Sequence, residues 1–286
     1  MAIDVNNVGR LLVTLYTLCC WCGNHYHVCT MKREEHQDEI QSRGEGGTQR
    51  SQVLPDIHVV PLADEVFAGL TTTSRPTWRR SDLAEVLDVS PTVIRTLHQV
   101  HGTTIVDADN DDLFRNGAEP EGDALITERD DVTLAVKVAD CAGVLIYDTI
   151  TRRRAAIHSG WRGSAAGIVT LVLDGLFQRG SLAENLRVSL VPSASAERYP
   201  VREDVARFFP RCIVPNTAVK DSWLFDNKAV LEDQLLRAGI RHTHLFIDPA
   251  CTIADKSFHS WRRDGERAGR GLAFLTVRPY RRDENP

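Results

Sequence analysis

Residues 139 to 163 open with Ala139-Asp140-Cys141-Ala142-Gly143-Val144-Leu145-Ile146-Tyr147-Asp148 and cross a basic turn at Arg152, Arg153 and Arg154. They finish with Ala155-Ala156-Ile157-His158-Ser159-Gly160-Trp161-Arg162-Gly163. Two short apolar runs, Val144 to Tyr147 and Ala155 to Ile157, enclose polar turn residues, which is the pattern of a β-hairpin. Such a hairpin brings Cys141, before its first arm, and His158, after its second, to the same end. A thiol and an imidazole meeting at a sheet edge can hold a metal or act as nucleophile and base.

The strands on either side set the fold class. Ile57 to Leu62, Val66 to Leu70, Val93 to Leu97, Thr104 to Val106, Ala124 to Thr127 and Val132 to Val138 read as strands before the hairpin. Leu186 to Val191, His244 to Ile247 and Gly271 to Val277 follow it. Helices are expected at Ser81 to Leu87 with Ser81 as N-cap, from a Ser164 cap to Gly180, at Val201 to Phe209 and at Asn227 to Ala238. Strands outnumber helices without strictly alternating with them. That predicts a mixed α+β fold, a sandwich of mixed β-sheets with flanking helices, in preference to a doubly wound parallel sheet.

A chain of 286 residues can bury a substantial core. Its formal charge of -5 leaves no basic footprint for nucleic acid, and no apolar run reaches membrane-spanning length. The sequence thus predicts neither a nucleic-acid nor a membrane partner. Cys141, Cys212 and Cys251 are scattered through the body, which does not read as a disulfide framework and predicts a reducing, cytoplasmic setting. Residues 1 to 53 read as a disordered or spurious extension, with Met31 as an alternative start, residues 54 to 280 as one domain and residues 281 to 286 as a tail. Within the extension, Leu11 to Trp21 has signal-peptide length but no small-x-small cleavage site follows it. Cys19, Cys20, Cys22 and Cys29 lie beside His25 and His27 without metal-knuckle spacing.

Three residues form the expected chemical centre. His101, Cys141 and His158 each sit at a strand end beside a small residue, where a turn can expose a side chain. Two imidazoles and one thiolate suit Zn²⁺ and leave a fourth position for water or substrate. His98 precedes His101 by three positions and is expected to face away from it along a strand. A blue-copper site also uses two His and a Cys, usually with a weak axial Met. The two methionines, Met1 and Met31, fall outside the expected fold. A second group, Arg162, Arg262, Arg263 and Arg270, offers guanidinium groups suited to phosphate.

These segments resemble a known family. Gln99-Val100-His101-Gly102, Ala139-Asp140-Cys141, His158 to Gly163, Cys251-Thr252 and Ser260-Trp261-Arg262-Arg263-Asp264-Gly265 occur in the order seen in the polyphenol oxidase, or laccase-domain, family, now described as zinc-dependent purine nucleoside enzymes. The resemblance covers roughly Phe67 to Val277. It implies a single-domain α/β sandwich with zinc held by His101, Cys141 and His158. The implied activities are phosphorolysis of adenosine, inosine, guanosine and methylthioadenosine, and hydrolytic deamination of adenosine. In phosphorolysis, phosphate held by Arg162, Arg262 and Arg263 would attack the ribose anomeric carbon as the purine leaves. A resemblance to bacterial toxin deamidases keeps a direct role open for Cys141 as nucleophile with His158 as base.

Two segments depart from the family pattern. Thr72-Thr73-Ser74-Arg75 leads quickly to Trp78 without the usual glycine-containing loop. Val191-Pro192-Ser193-Ala194-Ser195-Ala196 replaces a segment that usually carries two glycines, which removes backbone freedom there. These departures raise the alternative of a catalytically weakened zinc-binding protein, and the family's older name keeps a copper-dependent polyphenol oxidase as another beside the purine enzyme.

Overall fold

A computed structural model of the chain describes residues 52, 53 and 55–277. Apart from residues 52 and 53, the extension expected over 1 to 53 lies outside the described residues, as do its cysteines and methionines and the tail over 281 to 286. In chain order the elements run β1 (Gln52–Val53), β2 (Ile57–Val59), β3 (Val66–Thr71), α1 (Arg80–Leu87), β4 (Ile94–Arg95), β5 (Ile105–Asp107), β6 (Ala124–Thr127) and β7 (Thr133–Val138). Next come β8 (Ala142–Asp148), β9 (Arg154–Ser159), α2 (Trp161–Ala165), α3 (Ile168–Gln178), β10 (Leu186–Leu190), β11 (Pro200–Val201) and α4 (Glu203–Ala206). The chain continues through β12 (Ile213–Pro215), β13 (Trp223–Phe225), α5 (Asn227–Arg237), β14 (Leu245–Ile247), α6 (Trp261–Asp264) and β15 (Gly271–Val277).

Two six-stranded sheets carry the fold, in the orders β1-β2-β3-β15-β7-β4 and β14-β10-β8-β9-β6-β5. A small third sheet has the order β11-β13-β12. Most pairings are antiparallel, but β4 with β7, β5 with β6 and β10 with β14 are parallel, so both large sheets are mixed as expected. The hairpin is present: β8 pairs antiparallel with β9, and Gly143 lies opposite His158.

Period-two alternation along the strands explains the layering. On β15, Ala273 and Leu275 face one core while Leu272 and Phe274 face another. On β8, Leu145 and Tyr147 share the core of Ala273, whereas Val144 and Ile146 join Val169, Leu173 and Leu231 from α3 and α5. The sheets therefore pack on each other, with α1 outside the first and α3 and α5 outside the second. Strands buried on both faces give the near-continuous apolar runs that mark this segment of sequence.

Three local expectations are corrected. Arg79, not Ser81, is the N-cap of α1, with Asp82 accepting from the Arg79 backbone at 2.8 Å. The helix expected from a Ser164 cap is instead two, because Gly167 adopts φ 74 between α2 and α3. Ser164 lies inside α2, its hydroxyl 2.8 Å from that of Ser159. The helix expected over Val201 to Phe209 shrinks to the four residues of α4. Among the described residues, no helix is long and apolar enough to cross a membrane.

The sheets approach most tightly at one glycine. A Cβ on Gly143 would lie 2.6 Å from the Cβ of Ala273 and 3.0 Å from Val191 Cγ2. Neither neighbour is a flexible side-chain end, so the strands themselves must separate to admit a methyl. Gly143→Ala is expected to cost about 1–3 kcal/mol of overpacking strain, read as a lower urea midpoint at unchanged m-value.

Candidate metal centre

The chain crosses from the first large sheet to the second between β4 and β5 and again between β7 and β8. His101 lies on the first crossing and Cys141 on the second, while His158 belongs to β9 of the second sheet. Their ligand atoms lie within 4.8 Å of one another. The two imidazole rings meet edge to face, with centroids 4.8 Å apart. His158 is buried, Cys141 half-buried and His101 exposed, so the group opens to solvent on the His101 side. A Cβ on Gly160 would stand 3.0 Å from Cys141 Sγ and 3.1 Å from His101 Cδ2, so glycine leaves space beside both.

Two of these positions need an unusual backbone. His101 has φ 61 and Asp140, next to Cys141, has φ 83, both in the left-handed region that non-glycine residues rarely occupy. The carboxylate of Asp123 holds the first of them. It accepts from the backbone N–H groups of Val100 at 3.2 Å, His101 at 3.0 Å and Gly102 at 2.7 Å. Its Oδ1 also lies 2.8 Å from His158 Nδ1, which leaves Nε2 as the ligand atom and orients the ring. The second is held by Asp140 itself, which accepts from Thr252 Oγ1 at 2.7 Å and the Arg262 backbone N–H at 2.6 Å. From α5, Asn227 donates to the Ser159 carbonyl at 3.0 Å and Gln234 to that of Ser164 at 2.8 Å, fixing the turn after His158.

Electrostatics favour a thiolate here. Burial pushes the Cys141 thiol up, but hydrogen bonding and charge from His101 and His158 outweigh it and bring it down to about 6. Burial pulls His158 down, while Asp123 and Cys141 together raise it to about 9. Burial also raises the Asp123 carboxyl, yet His158 and the turn N–H groups hold it below the usual carboxylate range. A thiolate with two imidazoles is a donor set for a borderline metal such as zinc or copper, and the space beside Gly160 fits that use.

Around the centre lies a cleft of ≈ 780 Å³ whose walls include Lys137, Arg162, Tyr199, Trp261, Arg262 and Arg270. Arg162 stacks over Trp161 at 4.4 Å and forms no ion pair among the described residues, so its donors remain available. Arg262 lies 4.7 Å over Tyr199 and donates to the Pro200 carbonyl at 2.9 Å. Tyr199 is pushed up to about 12, chiefly by burial, so it keeps its phenolic proton. Arg263 departs from expectation. Its guanidinium donates to the carbonyls of Thr252 at 2.6 Å and Phe258 at 2.8 Å and pairs with Asp264 at 2.8 Å, and it does not line the cleft. It ties loops together.

His98 is exposed at the cleft wall. The expected reason for its separation from His101 does not apply, because His98 makes only an isolated bridge to Glu121 and no strand continues through residues 99 to 102. In the Val191 to Ala196 segment no residue has a positive φ, so the missing glycines leave no left-handed strain there. Sequence reasoning overlooked Asp123, whose position at the end of an acidic loop resembles a solvated charge. Its one signal is adjacency to the buried run of β6. Asp123→Asn keeps the shape but weakens the four bonds, and for any metal held by the group an affinity loss of about 10- to 100-fold is expected by competition with a chromophoric chelator.

Comparison with known proteins places this arrangement. A family profile described as multi-copper polyphenol oxidoreductase laccase matches residues 75–278. A Corynebacterium glutamicum protein named purine nucleoside phosphorylase is 32% identical over 190 residues, covering 65% of this chain and 75% of that protein. A Xylella fastidiosa protein of the same name is 34% identical over 201 residues, covering 67% of this chain and 74% of that one. In fold, the chain is similar to the Bacillus licheniformis hypothetical protein YfiH, with TM-score 0.71 and 23% identity over 79% of this chain and 97% of that one. It is equally similar to YlmD from Geobacillus stearothermophilus, with TM-score 0.71 and 24% identity over 80% and 98% of the two chains. With its matched region spanning both crossings and the arginine-bearing loop, the chain belongs to the laccase-like polyphenol oxidoreductase family.

Proposed function

We propose that this chain is a zinc-dependent purine nucleoside phosphorylase, with His101, Cys141 and His158 holding the metal. The observation that carries the reading is a cysteine-and-histidine donor group at the floor of a cleft walled by cations and aromatic rings. The names of the Corynebacterium and Xylella relatives support the reaction class. Adenosine, inosine, guanosine and methylthioadenosine are the proposed substrates, and hydrolytic deamination of adenosine is a proposed second activity. When bound, zinc supplies a Lewis acid and lowers the pKa of water to about 7.

The chain's own residues have separate tasks. Asp123 keeps the His158 ring oriented and its Nδ1 protonated. Arg162, with its donors uncommitted, is placed to bind a phosphate oxyanion bidentately. Arg262 adds a second cation, and its backbone is anchored to Asp140 beside Cys141. Trp161 and Trp261 offer flat faces on which a purine can stack. Tyr199 presents a hydroxyl that stays protonated across the working pH range. Cys141 acts here as a ligand, so a separate nucleophilic role is not part of the reading.

Zinc-loaded protein incubated with adenosine or inosine is expected to release free base and ribose 1-phosphate only when phosphate is present. No product from either nucleoside would overturn the reading, and copper-dependent oxidation of phenols would replace it with the oxidase that the family description names. Cys141→Ala is expected to lose both zinc and activity. Arg162→Met should lower kcat/KM for phosphate by about 10- to 100-fold, the loss of a charged hydrogen bond. Arg263→Met, in contrast, should act chiefly through the melting temperature.

A further inference from the structure

A second cleft, of ≈ 570 Å³, shares no lining residue with the first. Its charged walls are Arg80 at the start of α1, Arg95 of β4, Arg115 of the turn over residues 111–117, and Arg129, against Asp111 and Asp131. We propose that this cleft binds a phosphate monoester, with Arg80 and Arg115 gripping the dianion and Pro91 and Val93 packing against the organic group.

The two carboxylates are already committed. Asp131 takes Arg129 through two bonds, of 3.0 and 2.8 Å, and Asp111 is shared between Arg129 at 3.0 Å and Arg95. Arg80 pairs with no carboxylate among the described residues, and its Nη2 donates only to the Gly117 carbonyl, at 3.1 Å. Arg115 pairs with Asp112 at 2.7 Å, but both side chains are exposed, and such a pair is weak enough to exchange for a dianion. Two positive charges on the walls are thus left without a strong partner.

Independent signs come from Arg95 and Gly117. Arg95 is only 7% exposed, its ring partner Phe114 lies 4.7 Å away, and its buried Nε has no hydrogen-bond acceptor. Leaving a buried charged donor unpaired is costly unless another group serves it. Burial pushes the Arg95 guanidinium down, Asp111 offsets part of this, and Arg129 and Arg80 push it down further. Gly117 has φ 79, and a Cβ there would sit 2.7 Å from Arg80 Nη2, so glycine allows the guanidinium to rest over the turn. The two weakly engaged guanidinium groups, Arg80 and Arg115, favour the planar, multidentate recognition of a phosphate over a single carboxylate. The apolar wall favours an ester over the free ion.

Phenyl phosphate titrated into the full chain by calorimetry tests this. A saturable component is expected that Arg80→Gln and Arg115→Gln each weaken by at least about fivefold. Arg162→Gln, in the metal cleft, should leave that component unchanged. Arg115 is exposed, so its variant keeps the fold even where Arg80→Gln does not. Absence of saturation up to about 10 mM, or binding that only Arg162→Gln removes, would overturn the proposal. Loss of nucleoside phosphorolysis would not bear on it, because the two clefts share no residue.

Discussion

One buried carboxylate organises the centre. Asp123 is fully shielded from solvent, and burying an ionised carboxylate costs several kcal/mol unless its lone pairs are met. Here three backbone N–H groups and an imidazole meet them, each contributing about 1.5–3 kcal/mol as a bond to a charged group. The same four bonds stabilise a left-handed histidine that would otherwise be strained and select which nitrogen of His158 faces the cleft. Removing the carboxylate would release both histidines together, so the geometry of the group is a consequence of a residue outside it.

The topology explains why the group forms where it does. A sandwich joined by crossings has loops at its edge that belong to both sheets, and these loops are where backbone groups escape the ladder and side chains can converge. His101 and Cys141 occupy two such crossings, and the arginine-bearing segment between β14 and β15 forms a third. Asp140 links the second crossing to the third through Thr252 and Arg262. The tight approach at Gly143 brings the sheets together two residues from Cys141, which limits how far that crossing can shift.

Much of this was legible in the residues. Alternating and doubly buried runs read correctly as strands, because burial on two faces leaves a direct trace in composition. The meeting of Cys141 with His158 followed from hairpin geometry alone. His101 was named from its place at a strand end beside a glycine and supported by the motif resemblance, since its approach depends on a turn and not on periodicity. Asp123 was not legible: an aspartate at a loop end has the same appearance whether it faces water or a ring of N–H groups. Arg162 and Arg263 show the same gap. Both follow a tryptophan or an arginine in turn-rich sequence, and only the folded chain reveals that one guanidinium makes no ion pair among the described residues while the other is spent on carbonyls. The break of the expected long helix at Gly167 was hidden by an apolar pattern that continues in phase across it.

The three candidate ligands come from separate stretches of chain between residues 101 and 158, two of them from sheet crossings and one from β9. An ion held by all three would therefore act as a cross-link, closing two chain loops that the unfolded state leaves open. Thermodynamic linkage then makes folding and metal supply a single equilibrium: at a hundredfold excess of free ion over its dissociation constant, the folded state gains about 2.7 kcal/mol. A sandwich of this size lies only about 5–15 kcal/mol below its unfolded ensemble, so metal availability would then be one of the variables that set how much folded protein exists.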